Sequence, residues 1–146
     1  MKTKIALGAD HAGYEYKDNL ISYLNDNGYD CIDCGTNGPE SVDYPIHAAK
    51  ACELVRSGEC AYGILVCGTG IGMSIAANKH RGIRAALCNE SESTAMTRHH
   101  NNSNVLCLGA RMIPYEKALE LTKVFLTTEY DGGRHERRVE MLDKLL

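Results

Sequence analysis

Short runs of consecutive apolar residues alternate along this chain with stretches whose apolar positions recur every three to four residues. The runs predict strands near Lys4–Gly8, Asp30–Cys34, Tyr62–Cys67, Ala85–Cys88 and Val105–Leu108. The periodic stretches predict helices near Gly13–Asn27, Pro45–Ser57, Ile71–Lys79, Ser91–His100, Pro114–Thr127 and Arg134–Leu145. Gly28 and Gly58 fall just past their helices, where a left-handed C-cap belongs. Pro45 and Pro114 stand at helix starts, where a missing N–H costs nothing. Such regular alternation predicts an α/β fold, a five-stranded parallel sheet with helices on both faces. No linker, repeat or low-complexity segment breaks it, so one domain over residues 1–146 is expected.

Composition narrows the class. The chain has 146 residues, 44% hydrophobic and 24% charged, ordinary for a globular protein with a real core. Its apolar runs are too short to cross a bilayer. The opening MKTKIALGAD meets Asp10 at once and makes a poor signal peptide, so a cytoplasmic location is expected. Seven cysteines, an odd number set largely within apolar runs, suit reduced thiols better than a disulfide framework. A net charge of −3 gives no support to nucleic-acid binding, and neither nucleic acid nor membrane is expected as a partner.

The most informative stretch is Tyr62–Lys79, YGILVCGTGIGMSIAANK. An apolar strand ends at Cys67, the loop Gly68-Thr69-Gly70-Ile71-Gly72 follows, and a helix begins. Strand, glycine loop and helix together aim several backbone N–H groups at one spot, which binds an anion or meets a developing negative charge. A cysteine at the lip of such a loop can serve as nucleophile or as base toward a carbon acid. The spacing is G-x-G-x-G; Met73 stands where a dinucleotide fingerprint has its third glycine and where a phosphatase loop has arginine.

In parallel sheets ligands bind beyond the carboxyl ends of the strands. That rule gathers Asp10 and His11 after the first strand, Asp43 and Tyr44 after the second, Cys67 and its loop, Asn89-Glu90, and Gly109-Ala110-Arg111, all expected to share one rim. Asp10 could instead cap the first helix, but capping and binding can coexist and the binding role is favoured. His99 and His100 end the fourth helix about 100° apart, so only one can face a given pocket. Arg134 and Arg138 are expected on one face at the start of the last helix, where cations oppose the macrodipole; an anionic ligand would explain them. Cys31 and Cys34 point to opposite faces of a strand, which argues against a redox pair. The six histidines lack the spacing of a zinc-ligand motif, so no metal is expected.

Taken together, GADHAGY (8–14), DCGT (33–36), DYP (43–45), CGTGIGMSIAANK (67–79), GIRAALC (82–88), RHHNNSNVL (98–106) and GGRHERRV (132–139) resemble the type B ribose-5-phosphate isomerases, in the superfamily that also holds galactose-6-phosphate isomerase. The resemblance implies a Rossmann-like three-layer α/β/α sandwich. It implies a homodimer, or a dimer of dimers, whose active sites draw on both subunits, with the helix near 134–145 free to pack on the partner. It implies that Cys67 moves a proton between C1 and C2, that His100 opens the furanose ring, and that Asn101 contacts substrate beside it. The loop Gly68, Thr69, Gly70, Ile71 and Gly72 would stabilise an enediolate. Asp10, His11 and Tyr44 would bind substrate, and Arg111, Arg134 and Arg138 would hold its phosphate. Neither a redox cofactor nor a metal is required by that chemistry.

The expected activity is interconversion of ribose 5-phosphate and ribulose 5-phosphate in the non-oxidative pentose phosphate pathway. Isomerisation of a six-carbon sugar phosphate (allose 6-phosphate or galactose 6-phosphate), a nucleotide-binding module using Glu90, and a non-catalytic sugar-phosphate sensor are the alternatives. A Cys67 sulfur deep in the interior with no cavity open to it, and tail arginines turned away, would defeat the isomerase reading.

Overall fold

The computed structural model describes residues 1–146. Five strands, β1 Thr3–Ala9, β2 Tyr29–Asp33, β3 Tyr62–Cys67, β4 Ala85–Leu87 and β5 Val105–Gly109, form one all-parallel sheet in the order β2-β1-β3-β5-β4. Helices α1 Tyr14–Asp26, α2 Tyr44–Arg56, α3 Ile71–Ala77, α4 Ser91–Asn101 and α5 Tyr115–Thr127 connect and cover the strands. A 3-10 turn at Gly133–His135 leads into α6, Glu136–Asp143. Gly28 and Gly58 do take the left-handed conformation, with φ of 92° and 84°.

Side-chain alternation along the strands builds two cores. Ile5, Leu7, Ile64, Val66, Leu106 and Leu108 meet Leu20 and Leu24 of α1 and Leu121 and Phe125 of α5. Ala6, Leu65, Cys67, Val105 and Cys107 point the other way, onto Ala48 and Cys52 of α2 and Met73 and Ala77 of α3. With α4 packed on α5, the result is the expected three-layer α/β/α sandwich. Each central strand is apolar on both faces, which explains why the runs read as continuous rather than alternating.

The last helix departs from the sequence expectation. Gly132 and Gly133 have φ of 65° and 57°, and the chain leaves them in a 3-10 turn that contains Arg134. The helix proper opens at Glu136, so Arg134 and Arg138 do not share a regular helical face. Only Val139 of α6 is buried, while Met141, Leu142, Leu145 and Leu146 are exposed beyond it. Arg84 ties the helix down through Nη1, which lies 2.9 and 3.1 Å from the two carboxylate oxygens of Asp143.

Candidate active site

From β1 the chain runs out to β2, then returns past β1 to β3, so its direction reverses between β1 and β3. The crevice for a ligand lies at the carboxyl ends of the strands flanking such a reversal. Asp10 follows β1 and Cys67 ends β3 on the two sides of that crevice, with Ala9 paired to Val66.

The turns around the crevice are held by their own backbone. Asp10 Oδ1 accepts the N–H groups of Ala12 (2.9 Å) and Gly13 (3.1 Å), so its carboxylate shapes the turn before α1 and its Oδ2 makes no hydrogen bond within the chain. Gly13 is required by packing: a β-carbon there would stand 2.3 Å from the Val66 carbonyl oxygen. His11 Nδ1 accepts the Val42 N–H at 3.2 Å. Gly70 adopts φ +79°, and a β-carbon on it would come within 2.4 Å of Leu87. The Tyr44 ring lies over Gly72, and the Arg111 side chain lies against Gly68, with the Arg111 N–H donating to the Gly68 carbonyl at 2.9 Å.

Cys67 faces the α2–α3 layer and is 5% exposed. Its sulfur accepts the Gly70 N–H at 3.2 Å, the only backbone N–H given to a cysteine sulfur in the chain. Thr69 Oγ1 accepts the Ile71 N–H at 3.2 Å. The N–H groups of Gly68, Thr69, Gly72 and Met73 find no acceptor in the chain, so the loop keeps donors in reserve. The other cysteines are a contrasting set. Burial pushes Cys31 and Cys34 up to about 11 and Cys52 to about 12, and raises Cys60, Cys88 and Cys107 as well. Cys31 and Cys34 do lie toward opposite cores.

The remaining candidates sit at the other end of the molecule. Helix α4 starts beyond the carboxyl end of β4 and runs back, so its last residues lie where β3, β4 and β5 begin. Arg98 marks that position: its guanidinium reaches Tyr62 Oη, at the first residue of β3, and the Ser103 carbonyl. His99 Nδ1 pairs with Asp131 at 2.7 Å, while His100 turns away and stacks on His135, ring centroids 4.5 Å apart. As expected, the two adjacent histidines serve different neighbours. Burial, and next the charge on His100, hold the His135 imidazolium below its ordinary range. Asn101, Arg134 and Arg138 are exposed here, and neither arginine has an acidic partner. Six residues of β3 separate this end from Cys67, roughly 16 Å at the usual strand rise.

The candidates therefore do not converge within one chain. Asp10, His11, Tyr44, Cys67, residues 68–72 and Arg111 share the carboxyl rim; His100, Asn101, Arg134 and Arg138 share the amino rim. Of two cavities, one of about 470 Å³ is bounded by Asn101, Arg84 and the α6 tail, the other lies along α5, and neither reaches Cys67. Glu90, the acid required by a nucleotide-binding reading, has a side chain 77% exposed and its nearest cation is Lys117 at 4.0 Å. Met73, in place of the third glycine, is fully buried. Gly109, gathered to this rim by the sequence, leaves no room for a side chain, since a β-carbon there would meet the Thr69 carbonyl at 2.6 Å; what sequence reasoning missed is Lys17, a lysine on the buried stripe Lys17-Leu20-Leu24 of α1. A charged residue on an apolar stripe is itself a readable signal.

Known proteins resemble this chain in sequence and fold along nearly all of its length. The family model for Ribose/Galactose Isomerase matches residues 5–142. Ribose-5-phosphate isomerase B of Escherichia coli is 45% identical over 139 residues, covering 95% of this chain and 93% of that protein. The structure of Clostridium thermocellum ribose-5-phosphate isomerase B superposes with a TM-score of 0.96 at 48% identity, covering 97% of this chain and 96% of that one. Trypanosoma brucei type B ribose 5-phosphate isomerase gives 0.94 at 42% identity, over 98% of each chain. With a family match spanning nearly every element of the fold, this chain belongs to the ribose/galactose isomerase family.

Proposed function

We propose that the chain is an aldose–ketose isomerase that interconverts D-ribose 5-phosphate and D-ribulose 5-phosphate, the reaction of the non-oxidative pentose phosphate pathway. The observation that carries this reading is Cys67: a sulfur at the carboxyl end of a central strand, held by a loop N–H, in a chain 45% identical to a ribose-5-phosphate isomerase B.

The chemistry follows from these positions. Cys67, as thiolate, takes the proton from C2 of the open-chain aldose and returns it to C1. Negative charge collects meanwhile on the C1 oxygen of the enediolate, which gains the hydroxyl proton that the C2 oxygen gives up as the ketone forms. The unused N–H groups around Gly68–Gly72 are the donors for that oxygen, and removing one such donor typically raises a barrier by about 3–4 kcal/mol. Asp10, His11 and Tyr44 hold the sugar hydroxyls and ring, and Arg111 lies on the same rim. His100 carries the proton transfer that opens the furanose, help worth roughly 10²–10⁴ in rate. Asn101 steadies the substrate beside it, and Arg134 and Arg138 hold the phosphate, whose remote binding orients the reacting end.

We place the complete site between two copies of the chain, with the carboxyl rim of one facing the amino rim of the other. The separation of Cys67 from His100 supports this arrangement, as do the exposed Ile71 and Ile75 of α3 and the exposed apolar tail of α6. In a two-fold dimer each copy gives and receives the same residues, so two equivalent sites result. In one chain alone Cys67 is buried with no cavity reaching it and the tail arginines lie at the far rim, the condition set against this reading, so the reading depends on the proposed pairing of two copies. A cytoplasmic location belongs to the same proposal; no helix is long and apolar enough to cross a membrane.

Incubation with ribose 5-phosphate in D₂O tests the reaction. Ribulose 5-phosphate is expected, with deuterium incorporated at C1. Binding without carbon-bound deuterium would reduce the chain to a sensor, and faster turnover of allose 6-phosphate would assign it a six-carbon substrate.

A further inference from the structure

Lys17 carries an ammonium group with no exposed side-chain surface. Its Nζ meets three acceptors, Asp18 Oδ1 at 2.7 Å, Asp33 Oδ1 at 2.8 Å and Asn37 Oδ1 at 2.9 Å. Burying a charge is costly unless it is paired and hydrogen-bonded, and an apolar residue would continue the Leu20-Leu24 stripe without that cost. What the lysine adds is a connection: it joins α1 to the end of β2 and to the loop that follows. Asp33 Oδ1 also accepts the Gly35 N–H at 2.8 Å, which extends the tie along that loop.

Residues 37–42 have no regular structure, and two hydrogen bonds hold them to the rest of the chain. One is Lys17 to Asn37; the other is the Val42 N–H to His11 Nδ1. The second bond has a chemical consequence. A ring nitrogen that accepts carries no proton, so the proton of His11 sits on Nε2, and the free end of the ring is a donor. A donor there suits a sugar oxygen and does not suit the removal of a proton from carbon.

We propose that Lys17 is a positioning residue for the candidate site: its buried ammonium pins the 37–42 loop at Asn37, and the loop in turn holds His11 as the Nε2–H tautomer that donates to substrate. This rests on the isomerase reading for its functional half, while the tautomer is a property of the free protein. The loop also leads into Tyr44, so one tie positions two residues of the carboxyl rim.

Long-range ¹H–¹⁵N correlation of the imidazole nitrogens at pH 8, assigned with His11→Gln, reads the tautomer directly. Wild type is expected to show His11 as Nε2–H. Lys17→Met is expected to convert it to an exchanging mixture and to raise KM for ribose 5-phosphate about tenfold, the worth of roughly one hydrogen bond, with kcat changed far less. Lys17→Arg, which keeps the charge, is expected to recover part of the loss. Should Lys17→Met fail to fold, Asn37→Ala cuts the loop tie at an exposed side chain and decides the question by the same two readings. An Nδ1–H tautomer in wild type, or a tautomer and KM unchanged in the folded variants, would overturn the proposal. If wild type shows the Nε2–H tautomer but does not isomerise ribose 5-phosphate, the functional reading fails and the positioning of His11 stands.

Discussion

The two rims of the sheet differ in how they are built. On the carboxyl rim, Cys67, Gly70, Asp10 and His11 are held by hydrogen bonds to nearby backbone, and glycines admit the close approaches. At the amino rim, Asn101, Arg134 and Arg138 stand exposed on the end of one helix and the start of another, and the two arginines lack ion-pair partners. The first is an arrangement for fixing a small reacting centre, where displacement of about 1 Å is costly. The second suits charge at the far end of a ligand, where long side chains can adapt. Under the proposed function, reaction chemistry and phosphate recognition fall on opposite ends of the chain, and the proposal requires a second copy to bring them together.

The comparison predicts different kinds of damage at the two ends. Cys67→Ala is expected to have the largest effect, a fall in kcat of at least roughly 10²–10⁴ with sugar-phosphate binding retained, measured by single-turnover kinetics and calorimetry. An active Cys67→Ala protein would remove the sulfur from the mechanism. Arg138→Ala, at the opposite rim, is expected to act on KM instead, raising it roughly ten- to a hundredfold as a charge-assisted hydrogen bond is lost. Saturation at unchanged substrate concentration would take Arg138 out of the phosphate site.

The smallest effect concerns His135, stacked on His100. Its pKa is lowered in the folded chain, first by burial and then by the neighbouring His100 charge. The unfolded chain therefore binds more protons between that lowered value and the ordinary one near 6.5, so stability falls as pH drops through this window. Thermal unfolding at pH 7.5 and 5.5 is expected to show a smaller loss in His135→Gln than in wild type. Equal losses would mean that the stack does not couple to protonation.

Much of the fold was legible because its signals are local. Apolar runs and helical periodicity placed each strand within about a residue of its observed ends, and the parity of β3 sends Cys67 and Leu65 to one core and Val66 and Ile64 to the other. The turn Cys67–Gly72 was legible for the same reason. The start of α6 was not, since nothing in Asp131-Gly132-Gly133-Arg134 distinguishes a 3-10 turn from a first helical turn. The separation of His100 from Cys67 depends on the strand order β2-β1-β3-β5-β4 and on α4 running back along the sheet, which are tertiary facts. Lys17 was missed although its place on the Leu20-Leu24 stripe was visible, because a charge on an apolar face declares that it is paired without saying to what.

The division of the site between two copies is tested most directly by mixing inactive proteins. Cys67→Ala and His100→Ala chains, each without activity alone, are combined after exchange of subunits has been confirmed by mass spectrometry. Random pairing puts one intact Cys67 rim opposite one intact His100 rim in half of the dimers, so recovery of about a quarter of wild-type activity is expected. No recovery in exchanged dimers would contradict a site shared between the two rims.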